Sequence, residues 1–120
     1  MISINTDMKK MTTTISVEQQ SVEVPGILQQ LLDYPNCYVI LLGDKEVSNC
    51  PDNNIYAIGK DGTLMWNIKD VLEQELGNRK DMWYPQMDVT AEGLSVLSFS
   101  GVRYLIDVEQ GTCIRKQVVR

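Results

Sequence analysis

The sequence predicts a mainly β domain in which antiparallel meanders form an open half-propeller, accompanied by two short helices. Three observations carry that expectation. Apolar and polar residues alternate along most of the chain, the two-residue period of half-buried strands. A turn signature recurs: Tyr56-x-Ile58 then Gly62-Thr63 matches Tyr104-x-Ile106 then Gly111-Thr112, with the tyrosines 48 positions apart and the glycines 49. Periods of that size suit four-stranded propeller blades, whose faces are buried only against neighbouring blades. Finally, 120 residues of which 43% are hydrophobic fit one domain with a single modest core. That domain is expected to run over residues 1–120, with blade-like repeats at about 37–68 and 87–118.

The elements follow in order. Met11 to Val17 is rich in β-branched residues and reads as a strand, with a shorter one around Ile2 and Ile4 ahead of it. In VPGILQQLLDYP, Pro25 suits a first helical turn, Leu28, Leu31 and Leu32 share one helical face, and Pro35 ends the run, which predicts a short amphipathic helix. Residues 37–43, CYVILLG, form an apolar run of buried-strand length. The loop 44–54, DKEVSNCPDNN, is dense in turn formers and is expected to be exposed. Next, NIYAIGKDGTLMWNI reads as a hairpin: Tyr56 and Ile58 alternate on one arm, Leu64, Trp66 and Ile68 on the other, and Asp61-Gly62 makes the corner. Ile68, Val71, Leu72 and Leu76 then lie at helical spacing before Gly77, the second predicted helix. After a loop at 77–88, the runs LSVLSFSG, VRYLIDV and TCIRKQVV predict three consecutive antiparallel strands. Trp66 shares its parity with Leu64 and Ile68, so its ring is expected between adjacent meanders, a burial contributing about 3 kcal/mol.

Two of these segments carry a family resemblance. NIYAIGKDGTLMW resembles the outer-strand hairpin of quinoprotein-type propeller blades, and YLIDVEQGTCI resembles its Asp-x-x-x-Gly form. The wider order of elements is similar to small bacterial half-propeller proteins, several of which act as immunity proteins of contact-dependent growth-inhibition and related polymorphic toxin systems. That resemblance implies a cytoplasmic toxin inhibitor. Two departures weaken any transfer of cofactor or sugar binding: Ser98 to Gly101 stands where quinoprotein blades carry a charged corner, and Arg115 replaces the tryptophan of the first copy.

The residues themselves favour binding over catalysis. The chain has no histidine, which removes Ser-His-Asp and Cys-His pairings, the imidazole base and ordinary zinc sites. Glu73 and Glu75, the nearest carboxylate pair, lie two apart on a predicted helix and diverge, so they cannot flank one glycosidic bond. Gly59 and Gly62 sit in a hairpin rather than a phosphate loop, and Cys50 has no flanking base or cation. No catalytic residue, metal or cofactor is therefore expected. Cys37, Cys50 and Cys113 lack any Cys-x-x-Cys spacing, and with no signal-peptide or membrane-span pattern they predict reduced thiols in the cytoplasm.

Charge suggests the partner. Residues 18–109 hold 15 acids and 6 bases, whereas residues 110–120 sum to +3. Such a body repels nucleic acid and attracts a basic protein, although solubility alone accounts for mild acidity equally well. The expected contacts are Asp44, Glu46 and Asp52 in the loop, Glu73 and Glu75, and Asp81 beside the aromatic anchors Trp83 and Tyr84, whose competing reading is core or hydrophobic lid. The leading expectation is an immunity protein that neutralises a secreted toxin domain, a basic nuclease, without contacting nucleic acid or membrane itself. The alternatives are a small-ligand or carbohydrate binder that pairs half-rings into a symmetric oligomer, and a structural or regulatory β domain.

Overall fold

The computed structural model describes residues 2–46, 49–76 and 83–118. Its strands form three antiparallel sheets laid down in chain order. The first holds β1 (Ile2–Asp7), β2 (Thr12–Val17) and β3 (Gln20–Pro25). The second holds β4 (Ile27–Asp33), β5 (Cys37–Gly43), β6 (Ile55–Gly59) and β7 (Leu64–Asn67). Two helical turns follow, α1 (Ile68–Val71) and α2 (Glu73–Leu76). The third sheet holds β8 (Gln86–Thr90), β9 (Gly93–Leu97), β10 (Val102–Asp107) and β11 (Thr112–Val118). Every pairing joins consecutive strands, so each sheet is a meander.

The middle sheet is buried on both faces, which explains the unbroken apolar run of β5. Ile40, Leu42, Tyr56 and Ile58 pack on Ile15, Val17 and Val24 of the first sheet. Val39, Leu41, Ile55, Ala57 and Trp66 pack the other way, on Leu94, Val96, Tyr104 and Ile106 of the third. A strand with apolar neighbours on two sides has no reason to alternate.

The two four-stranded meanders correspond rung for rung. Val39, Ala57 and Trp66 are directly paired across β5, β6 and β7, and Ser95, Leu105 and Arg115 occupy the same rung across β9, β10 and β11. Tyr56 and Tyr104 sit at the same place in the third strand of each sheet, each facing the preceding sheet. The irregularity of the fourth strands matches as well: the pairing slips between Ala57 and Ile58 and between Leu105 and Ile106, leaving Met65 and Ile114 as the extra residues.

Three expectations need correction. The segment 25–35 is not a helix but β4, an edge strand paired with β5. Its register slips between Leu28 and Gln30, and the extra residue moves Leu31 onto the face of Leu28, so a bulged strand imitates helical spacing. Helix is confined among the described residues to the two turns after β7; Asn67 caps the first by accepting the Asp70 backbone N–H at 3.0 Å, while Gly77, the expected C-cap, lies outside the described residues. The loop 44–54 is not uniformly exposed, because Asn54 is fully buried. The strands β3 and β8, which sequence alternation did not single out, complete the first and third sheets.

Candidate functional site

The β9–β10 turn presents an aromatic to solvent. Ser98 Oγ accepts the Val102 backbone N–H at 3.1 Å, the Ser98 N–H donates to the Val102 carbonyl at 2.8 Å, and Gly101 takes a positive φ of 92° to close the corner. Phe99 at the tip is 63% exposed. Its N–H donates to the Trp83 carbonyl at 2.9 Å, and its ring stacks on Trp83 at 5.5 Å between centroids and 25° between planes. The turn is thus held to Trp83 by backbone and by side chain, which fixes exposed Phe99 and half-buried Trp83 before any partner arrives.

Trp83 also lines a groove of about 190 Å³ between the middle and third sheets, together with Gln29, Gly43, Asp44, Cys50 and Pro85. Asp44 enters it from the end of β5. One Asp44 carboxylate oxygen accepts the Glu46 N–H at 3.0 Å, an Asx turn that orients the side chain. Burial raises the Cys50 thiol above its ordinary value, with the Asp44 charge adding to the rise and its backbone N–H opposing it, so Cys50 is a neutral wall of the groove rather than a nucleophile.

Asn54 holds the floor together. Its Nδ2 donates to the carbonyls of Leu42 at 2.9 Å and Tyr84 at 2.7 Å, and its Oδ1 accepts the Tyr84 N–H at 3.0 Å. One buried amide thereby joins the end of β5 to the segment entering β8, and so ties together the two segments that carry Asp44 and Trp83 to the groove.

The residues expected at a partner surface are divided by the structure. Asp44 and Trp83 meet in the groove, with exposed Glu46 in the same loop and half-buried Asp52 further along it. Tyr84 is a correction as an exposed anchor: it is 1% exposed, packs edge-on against Tyr104 at 6.3 Å, and belongs to the core beneath the groove. Asn54 fixes it there by binding both its backbone N–H and its carbonyl just ahead of β8. Glu73 and Glu75 line a different depression, beside Gly111 and Cys113, where Glu75 lies 3.6 Å from the Lys116 ammonium. Asp81 lies outside the described residues. Phe99 is the residue that the sequence reading missed; the one available signal was that the chain's single phenylalanine falls in a Ser-Phe-Ser-Gly turn rather than on a strand.

Among the described residues no group of three or more His, Cys, Asp or Glu side chains could hold a metal ion, and Cys37, Cys50 and Cys113 are free thiols. No helix among them is long and apolar enough to cross a membrane. A family model described as a domain of unknown function (DUF7957) matches residues 4–118. No curated protein and no solved structure matches the chain.

Proposed function

The chain belongs to the DUF7957 family, a domain of unknown function, and from that premise we propose that it is a protein-binding inhibitor: an immunity protein that neutralises a basic toxin domain, a nuclease, through the surface around Asp44, Trp83 and Phe99. The observation that carries this reading is the pre-positioned aromatic pair beside an acidic loop. An exposed Phe99 ring stacked on half-buried Trp83 in a tied turn supplies contact area at little entropic cost, and neighbouring carboxylates select a positive partner and speed its approach. The histidine-free sequence and the neutral thiols fit a binding role. In this reading the stacked meanders are an open half-propeller and serve as a rigid scaffold in the cytoplasm.

The symmetric-oligomer alternative is less well supported. Pairing half-rings would cover the outer face of the third sheet, where Arg103 and Arg115 replace the apolar Ile55 and Trp66 of the middle sheet and Arg115 pairs with Glu92 of the β8–β9 turn. Burying those charges without tailored partners is costly.

The test is direct. The toxin domain encoded beside this gene is purified and titrated with the protein by calorimetry at low and high salt. Tight binding that weakens steeply with salt, loss of toxin activity in the complex, and weakened binding by Phe99→Ala and Asp44→Asn are expected. Absence of a complex, or a complex that leaves the toxin fully active, rejects the proposal.

A further inference from the structure

We infer that the groove between Gln29 and Trp83 is an arginine-accepting site: it takes one guanidinium side chain from the basic partner, stacked on Trp83 and paired with Asp44. The inference rests on the protein-binding reading above and names the chemistry of its anchor.

Size, charge and shape converge on that ligand. A volume of about 190 Å³ slightly exceeds the ~150 Å³ cavity that admits a benzene-sized molecule, which suits one side-chain head group. Among the residues lining it, Asp44 is the only Asp, Glu, Lys or Arg, so the one charge-bearing side chain in the groove is a carboxylate. One Asp44 oxygen is occupied by the Glu46 N–H, and the other has no hydrogen-bond partner among the described residues. The remaining walls are apolar or neutral: Leu41, Pro85, the Cys50 thiol and the flat ring of Trp83.

A guanidinium satisfies all of these at once. It is planar, weakly hydrated and able to lie on an aromatic face while its edge N–H groups reach a carboxylate. The Gln29 side chain, whose Cγ would stand 3.0 Å from a β-carbon at Gly43, forms the opposite wall and adds no charge to compete with Asp44. A lysine ammonium carries its water more tightly and offers no plane to stack, so it is the poorer occupant. The Phe99 stack keeps the Trp83 ring at its station, and it makes Phe99 a positioning residue.

Short oligoarginine and oligolysine peptides of equal length are the probes, with the intrinsic fluorescence of Trp83 as the readout and Trp83→Phe as the control for the signal of buried Trp66. Oligoarginine is expected to bind more tightly than oligolysine and to change the fluorescence, with Asp44→Asn weakening it on the order of tenfold and Phe99→Ala reducing the arginine preference. Asp44 is half-buried at the end of β5, and the fold of Asp44→Asn is checked by thermal unfolding. Equal binding of both peptides, unaffected by Asp44→Asn, overturns the arginine site while leaving the acidic-surface reading intact. Failure of both peptides to bind overturns the site, and the toxin titration then decides the wider reading by itself.

Discussion

Asn54 shows how one buried amide can decide the geometry of a surface. It donates to two carbonyls and accepts one N–H, and all three of those backbone groups would be stranded without it. Leucine has nearly the same volume but no hydrogen-bonding group, and each orphaned buried polar group costs about 1–3 kcal/mol. Asn54→Leu is therefore expected to destabilise the fold by about 3 kcal/mol or more, lowering the melting temperature by roughly 10 °C in a chain of this size, measured by circular dichroism. Because the same amide ties together the segments that carry Asp44 and Trp83 to the groove, the variant should also lose the fluorescence response to oligoarginine at temperatures where it remains folded. Nothing in DNN, residues 52–54, separates this asparagine from its half-buried neighbours. Its burial depends on a backbone thirty residues further along, which local composition does not encode.

At the level of elements, the irregularities of the sheets all fall on edges. The extra residues Gln29, Met65 and Ile114 lie in β4, β7 and β11, each an outermost strand. A bulge on an edge bends it and breaks the row of free backbone groups that would otherwise template aggregation. The same device made β4 hard to read, since alternation with one insertion has the spacing of a helix; β5, which has no insertion, was legible to the residue. The hairpin turns were also legible, because Asp61-Gly62 and Gly111 announce a backbone that other residues resist. Gly111 has φ of 65°, and a β-carbon there would stand 2.8 Å from Trp66 Cδ1. Trp66 itself donates from Nε1 to the Val108 carbonyl at 2.7 Å, so ring and turn are locked together. Gly111→Ala is accordingly expected to cost about 2 kcal/mol from strain and displacement of the indole, seen as a lower midpoint in urea with an unchanged slope. An unchanged midpoint would mean that the turn and Trp66 are not coupled.

For the whole molecule, the titration pattern follows from what the core contains. There is no histidine, so no side chain with an ordinary value near neutrality changes charge on folding. Burial raises the thiols of Cys37, Cys50 and Cys113 and the phenols of Tyr34 and Tyr56 above their ordinary values of 9.0 and 10.0. A raised acid keeps its proton in the folded state after the unfolded chain has lost it, so the associated stability is complete below pH 9 and is lost as pH rises through the folded values. At the acid end, Arg115 holds Glu92, and the Thr63 hydroxyl and N–H hold Asp61, below their ordinary 4.5 and 3.8. Their contribution is present above those values and disappears as pH falls through the lower folded ones. A flat melting temperature from pH 6 to 8.5 with decline beginning above about pH 9 is expected. Cys37→Ala should delay the alkaline decline, and a slope across neutrality would show that another group titrates on folding.

The same whole-molecule view explains why the stack of sheets ends where it does. Position by position, the face of the middle sheet that packs on the third is Val39, Leu41, Ile55, Ala57 and Trp66, and the corresponding outer face of the third sheet is Ser95, Leu97, Arg103, Leu105 and Arg115. Where Trp66 reaches across to the next turn, Arg115 instead turns to Glu92 and forms a two-pronged ion pair at 2.7 and 2.8 Å. Exposed pairs of this kind add little stability; their effect is to keep a sheet face wet, as the terminal units of stacked repeats must be. The repeat was visible in the sequence through its tyrosines and glycines, but its polarity switch was visible only as the single change of tryptophan to arginine, whose meaning depends on knowing which rung it occupies. If the outer face is a cap, this chain is a monomer in solution at 13.6 kDa by light scattering. Restoring the apolar pattern with Arg103→Ile and Arg115→Trp together should expose a patch complementary to nothing but other apolar surface, and convert the monomer into concentration-dependent oligomers. A double variant that stays monomeric at high concentration would show that shape, rather than these two charges, is what ends the stack.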